Sequence, residues 1–322
     1  MSAPSLSARP GNPERTGDPE GAGQSERAAG VAVLAVDVGS SRIDAEILDE
    51  RLACLARAST TTPSAGTTVT SPSSSASTGG DPTADAVVGL CRRLAGSAPP
   101  GVPVRRLGLA AAAAVDTRAV AAALAVPVVV TDEATAAGLA EWRHGAGRGS
   151  DDVLVVLLDA EIAAAVIADG ALVRGRSGQA GRLGHLGVRR EGPVCACGLR
   201  GCLDVLASTR AIVDAYNARS LTPVARATEL RARLGADPVA NEVWRGAAAA
   251  LAEALLTACA LLAPARVVLA GELAATGEAW LEPVRAGLAA ASPCVSVPPV
   301  VAAELGPRAG VLGAAMAALE AA

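Results

Sequence analysis

Residues Gly181–Asp204 read GRLGHLGVRREGPVCACGLRGCLD and set His185, Cys195, Cys197 and Cys202 in an H-x9-C-x-C-x4-C array. Zinc takes four tetrahedral ligands from thiolate and imidazole, and three cysteines with one histidine is a common structural set. Gly198 and Gly201 lie between the last thiols, where a tight knuckle needs residues that tolerate positive φ. The chain has seven cysteines and two histidines, so three thiols within eight residues beside an imidazole point to structural Zn2+. Core-filling cysteines are the ordinary alternative. A disulfide is disfavoured because nothing upstream suggests export. Cys54, Cys91, Cys259 and Cys294 sit in apolar surroundings and read as core fillers.

At 322 residues the chain is long enough for two domains with real cores. Apolar residues make up 51%, which excludes disorder over most of the length. No unbroken apolar run approaches the roughly 20 residues that cross a bilayer, so no membrane partner is expected. Net charge is −4, lysine is absent, and the aromatic residues are one Tyr and three Trp. The chain therefore lacks both the broad basic surface and the stacking platforms of a nucleic-acid binder. It also has no lysine for a Schiff base or a P-loop.

Residues 1–29 are rich in Pro, Gly, Ser and Glu and predict a disordered tail without the apolar segment of a secretory signal, so a cytoplasmic location is expected. Val31–Val36 is a continuous apolar run, as in a buried strand, ending in Asp37-Val38-Gly39-Ser40-Ser41. Ile43–Leu48 and Leu52–Ala56 predict two further strands, and residues 58–83 a flexible Thr/Ser/Pro/Gly-rich loop. A strand, a small-residue turn with a carboxylate and a hairpin back is how actin-like ATPase folds begin; an ordinary hairpin with a solvated Asp37 is the alternative. Thr83–Leu94 predicts a helix, Arg105–Val115 and Val126–Val130 strands around a short helix at Thr117–Leu124, and Thr131–Trp142 a helix opening on Asp132 and Glu133. Val153–Leu158, Ile162–Ala168 and Leu172–Arg174 repeat the three-strand series, which suggests a duplicated α/β unit around a cleft. Helices are expected at Ser208–Ala218, Pro223–Leu234, Asn241–Leu262 and Arg308–Leu319, and a buried strand at Arg266–Ala270 before Gly271.

From Val31 onward these segments resemble the ROK family of repressors, open reading frames and sugar kinases. GHLGV…CACGLRGCLD is close to the family's zinc signature in spacing and glycines, and VDVGSSRIDAEILD resembles its first phosphate loop. TDEATAAGLAEW is similar to its NDxNAAALGE helix, LVRGRSGQAGRLGHLGV to the lead-in of its sugar-contacting E-x-G-H motif, and ARVVLAGEL and LGPRAGVLGAA to its nucleotide-side motifs. The resemblance implies an actin-like ATPase (ribonuclease-H-like) fold. An N-terminal α/β domain over 30–145 and a C-terminal one over 146–322, which carries the knuckle, flank the cleft, and the last helix packs back on the first. It also implies a homodimer.

By the same resemblance Asp37, Gly39, Ser40 and Ser41 would face phosphate and metal ion, Glu133 would stand at the catalytic base, and Gly271 on the nucleotide side. Asp132, Thr135, Arg182, His185 and Asp204 would face a sugar. Several of these positions depart from the pattern. Glu133 replaces an aspartate with a side chain one methylene longer, and Arg182 replaces the glutamate of E-x-G-H. Thr135 stands where an asparagine is expected, and Glu272 replaces a glycine. The glycine-rich second phosphate loop has become Asp159-Ala160-Glu161-Ile162-Ala163-Ala164-Ala165. At about 5 Å and an effective dielectric near 20, each carboxylate–phosphate charge pair costs roughly 3 kcal/mol. ATP and Mg2+ are thus poor candidates for cofactors. The expected function is a zinc-stabilised, sugar-kinase-like protein of impaired activity that binds a sugar or metabolite, with a divergent hexose or N-acetylhexosamine kinase as the alternative. Repressors of the family carry a winged helix ahead of this core; only the short tail precedes Val31 here, so direct nucleic-acid binding is not expected.

Overall fold

The computed structural model describes residues 31–63, 81–97, 102–111, 115–291 and 296–321. The expected tail, residues 64–80 of the expected loop and Cys294 lie outside them. The apolar run after Val31 forms β1 (Ala32–Val38), which turns back antiparallel into β2 (Arg42–Asp49) and then β3 (Cys54–Thr61). After α1 (Pro82–Ala95) come β4 (Val104–Ala111), α2 (Thr117–Leu124) and β5 (Val128–Asp132), with β4 parallel to β1 and β5 parallel to β4. Following α3 (Glu133–His144), the series begins again with β6 (Val153–Leu158), β7 (Ile162–Ala168) and the short β8 (Ala171–Leu172). The cysteine stretch leads to α4 (Asp204–Ala207), α5 (Thr209–Asn217), α6 (Ala227–Arg231) and the long α7 (Pro238–Leu262). β9 (Arg266–Ala270), α8 (Glu278–Ala291), β10 (Val300–Ala302) and α9 (Ala309–Glu320) complete the order.

The two sheets share one topology. The first is ordered β3-β2-β1-β4-β5 and the second, read from its other edge, β8-β7-β6-β9-β10. In each, an antiparallel three-strand meander is extended by two strands parallel to its first. The central strands β1, apolar but for Asp37, and β6, apolar throughout, are buried on both faces, as parallel strands between helical layers require.

Helices α3 and α9 pack on one another, α3 on β6 and β7, and α9 on β1 and β4. Small residues make that closeness attainable. A Cβ on Gly313 would land inside the shell of the Ala136 carbonyl, and one on Gly138 against the Ala165 methyl. On the far side of the second sheet, α7 supplies Trp244, Leu251 and Leu255 to a core shared with Leu154, Leu158 and Trp280. Trp244 and Trp280 meet edge to face at 5.1 Å between centroids, a favoured aromatic geometry. By length and composition α7 is apolar enough to cross a membrane, although Glu242, Arg245 and Glu253 interrupt it, and it lies as the core helix of the second sheet.

Several boundaries move for local reasons. β3 runs to Thr61 rather than stopping at Ala56, because the ladder with β2 continues to the Arg42–Thr61 pair. The expected loop therefore starts later, and α1 already opens at Pro82 behind the Asp81 cap. Thr131 and Asp132 finish β5 instead of starting the helix, and Asp132 caps α3. β4 is described to Ala111, and residues 112–114 of the expected strand lie outside the described residues. The expected helix over Pro223–Leu234 shrinks to α6, since Asn217 hydrogen-bonds both backbone groups of Val224 and holds that approach as a loop. α8 and β10 had no counterpart in the sequence reading. Cys91 and Cys259 are buried as expected, but Cys54 is exposed on the edge strand β3.

Candidate functional site

The cysteine stretch forms a compact knuckle docked along β7. Ala164 donates its N–H to Gly181 O at 2.7 Å, and Ile162 donates its N–H to Asp204 Oδ1 at 2.8 Å. Within the knuckle Gly198 and Gly201 adopt φ of 90° and 64°, as the spacing required. One ligand atom from each of His185, Cys195, Cys197 and Cys202 lies within 4.8 Å of the others. Cys195 Sγ is 3.6 Å from His185 Nδ1, and Cys197 Sγ is 3.6 Å from Cys202 Sγ. Zinc–sulfur bonds of about 2.3 Å at tetrahedral angles put two thiolates roughly 3.8 Å apart, so the donor set and its size fit that ion. The thiols are unequal: burial and then the neighbouring thiols push Cys202 up to about 12, whereas the Leu199 N–H draws Cys197 down. A shared cation is what would hold all three as thiolates.

The second part of the site lies where β1, β6 and β9 end, the edge at which open α/β sheets bind ligands. Asp37 is the penultimate residue of β1. Its Oδ1 is buried without a hydrogen-bond partner, and its carboxyl packs so closely on Gly310 of α9 that a Cβ there would overlap it. Burial, then Asp44 and Asp159, raise the Asp37 pKa to about 7. Gly39, Ser40 and Ser41 form the turn between β1 and β2, closed by the Gly39 N–H donating to Arg42 O at 3.0 Å; both serines are exposed. A Cβ on Gly39 would be 3.9 Å from Glu133 Oε1, so Glu133, first residue of α3, reaches this turn. Burial, then Asp37, Asp159, Asp132 and Glu161, raise its pKa to about 8. Asp37, Gly39 and Glu133 are therefore brought together.

The turn from Asp159 to Ile162 faces them from the second sheet. Asp159 Oδ1 accepts the Glu272 N–H at 2.7 Å, one residue past Gly271, whose φ is 89°. Burial raises the Asp159 pKa, with Glu272 adding to it and the Glu272 N–H opposing. Glu161 is exposed, 3.9 Å from Arg210, whereas Asp159 is turned inward. Of the positions that the resemblance put on the sugar side, Asp132 is exposed and accepts the Thr135 N–H at 2.8 Å as the α3 cap. Arg182 is exposed and His185 faces the knuckle cysteines. Asp204 is buried, its carboxyl engaged by Ile162, which joins the knuckle to the Asp159 turn.

Sequence reading missed Glu141, fully buried at 0% exposure. Its carboxyl accepts N–H groups from Ala146, Glu304 and Leu305, tying the end of α3 to the segment that enters α9. An acidic residue among the alanines and Trp142 of a buried helix was the available signal. The buried Glu46, which accepts from Arg308 Nε and Nη2 at 2.9 and 2.7 Å, was missed as well.

Comparison with known proteins agrees with this architecture. The Thermus thermophilus ROK hexokinase structure superposes with a TM-score of 0.76 at 30% identity, over 90% of this chain and 100% of that one. A Streptomyces griseus ROK glucokinase, solved with glucose and AMPPNP, gives 0.72 at 27% identity over 90% and 99%. Glucokinase of Streptomyces coelicolor is 31% identical over 222 residues, 62% of this chain and 70% of its own length. The profile of the ROK family matches residues 112–321, which contain α3, the Cys3His knuckle and the whole second sheet. With sequence, topology and knuckle in agreement, the chain belongs to the ROK family.

Proposed function

We propose that this ROK-family chain is a zinc-bearing, sugar-kinase-like protein that binds a sugar or related metabolite and is impaired in phosphoryl transfer. The observation that supports it most is the carboxyl group of Asp159, turned into the cleft opposite Asp37 and Glu133, whose pKa values all rise on burial beside one another. The nearby arginines engage Glu161 and Glu272 instead, at 3.9 and 3.7 Å. A triphosphate entering this edge meets like charge. Residues 30–145 and 146–322 would form the two halves, a sugar would sit near Asp132, Thr135 and Arg182, and the family's homodimer is the assembly to look for. Zn2+ on His185, Cys195, Cys197 and Cys202 would be structural. Titration calorimetry with Mg·ATP tests the reading: weak or no heat is expected, and micromolar affinity overturns it.

A divergent sugar kinase is the second reading, favoured by the place of Glu133 and by similarity to relatives that are kinases. A base is most effective when its pKa lies near working pH, and Glu133 sits at about 8. It would accept the proton of a sugar hydroxyl as that oxygen attacks the γ-phosphorus and ADP leaves. The orphaned Asp37 Oδ1 fits a Mg2+ ligand, which would neutralise phosphate charge, and Ser40 and Ser41 would donate to phosphate. Turnover on a hexose and N-acetylhexosamine panel, abolished in Glu133→Gln, would establish this reading; silence across the panel counts against it.

A further inference from the structure

The link between Asp159 and Glu272 joins two turns that both end strands at the cleft, one after β6 and one after β9. A backbone N–H at such a turn, following a positive-φ glycine, is a donor suited to anions. Here it already has one, supplied by the chain itself. Asp159 Oδ1 accepts it at 2.7 Å, and Oδ2 comes within 2.8 Å of where a Gly271 Cβ would stand. We propose that Asp159 is an intramolecular anion mimic, an autoinhibitory contact whose carboxylate occupies the Gly271–Glu272 turn in place of a phosphate-bearing ligand. The inference rests on the impaired-transfer reading and assigns that impairment to one removable side chain.

Two features separate a mimic from a structural clasp. The contact sets Asp159 beside a second carboxyl group, Glu272, whose Oε1 has no hydrogen bond and, among the described residues, only Arg226 at 3.7 Å as a counter-charge, so like charge adds to the burial that raises the Asp159 pKa. A purely structural link at this place needs only a neutral acceptor. In addition, the backbone of the turn is held without the side chain. Thr209 donates its N–H to Asp159 O at 2.9 Å, and Ile162 donates to Asp204 at 2.8 Å. Losing the carboxylate therefore leaves the turn in place and the Glu272 N–H free.

The experiment is calorimetric titration of the full chain with Mg·ADP and, separately, inorganic phosphate. Wild type is compared with Asp159→Gly, Asp159→Asn and the charge control Glu161→Ala, each checked for native melting and zinc content. Asp159→Gly should tighten binding of both probes at least about tenfold, the worth of one hydrogen bond to a charged group. Asp159→Asn, which loses the charge but keeps an acceptor on Glu272, should gain less, though at least roughly threefold. Glu161→Ala should gain less than either. The proposal is overturned if wild type and Asp159→Gly bind alike and weakly, which leaves the impaired-transfer reading standing. Equal gains in Glu161→Ala and Asp159→Gly also overturn it, since net charge would then suffice. Tight Mg·ADP binding by wild type removes both readings together. Should the glycine variant not fold, an asparagine variant that binds no better than wild type overturns the proposal.

Discussion

Glu141 Oε1 accepts the Leu305 N–H at 2.7 Å, across 164 residues of sequence. The same carboxyl takes the N–H groups of Ala146 and Glu304 at 2.9 and 3.1 Å. It thereby fixes the far end of the helix that opens with Glu133 against the segment that leads to Gly310 and Asp37. Glu141→Gln turns one acceptor into a donor facing backbone donors. A buried group left unpaired costs about 1–3 kcal/mol, which for a chain of this size lowers Tm by roughly 2–5 °C. Thermal melts of the two proteins at equal zinc content measure it, and an unchanged Tm would remove Glu141 from the account.

Cys197 offers a sharper test because it is exposed. An exposed Cys→Ser substitution away from any special feature changes stability by about 0.5 kcal/mol or less. If Cys197 is one of four zinc ligands, the same change costs on the order of 4 kcal/mol or more, because metal binding energy is folding energy. Cys197→Ser should therefore melt far below wild type, and a chelator should bring wild type down to meet it. Elemental analysis should find about one zinc per chain; less than half an equivalent would refute the knuckle.

Much of this arrangement was legible in the sequence, and its failures have physical causes. The ligand set could be read because zinc demands particular atoms at short spacing. β1 and β6 could be read because strands buried on both faces are continuously apolar. β3 was cut short because an edge strand is held by its ladder as much as by its side chains, and Ser59, Thr60 and Thr61 carry no apolar signal. α8 was hidden by Pro283 inside it and Gly277 just before it, both of which read as breakers. The backbone partners of Glu141 and Asp159 were beyond local reading. They lie 163 and 113 residues away, and only the closed fold shows which backbone N–H each carboxyl meets.

Glu133 carries a prediction about pH. Its carboxyl is raised to about 8, first by burial and then by Asp37, Asp159, Asp132 and Glu161. The folded chain thus holds a proton that the unfolded chain releases near the ordinary carboxylate value. That contribution to stability is complete below the unfolded pKa and is lost as pH climbs through the folded one. The Tm of wild type should fall between about pH 5 and pH 8 from this group. Glu133→Gln, neutral throughout, should fall less over that window, and parallel Tm curves would show that Glu133 titrates normally.

Two glycine-to-alanine substitutions should move stability in opposite directions, although each adds one methyl inside a helix. Gly313, in α9, faces the backbone of α3, where a Cβ would overlap the Ala136 carbonyl. A backbone wall cannot rotate aside, so Gly313→Ala must push α9 from α3; overpacking of this kind costs about 1–3 kcal/mol, occasionally more. Because α9 also holds Gly310 against Asp37, the same variant should disturb the cleft, read as altered binding of any ligand found there. Gly246, in α7, is exposed with nothing within 4 Å of its added Cβ. There the methyl meets only solvent and the unfolded chain loses freedom, so Gly246→Ala should stabilise by about 0.5–1 kcal/mol. Denaturant melts of both variants decide the matter. Equal shifts of the same sign would mean that α9 does not pack on α3 as closely as the described contact requires.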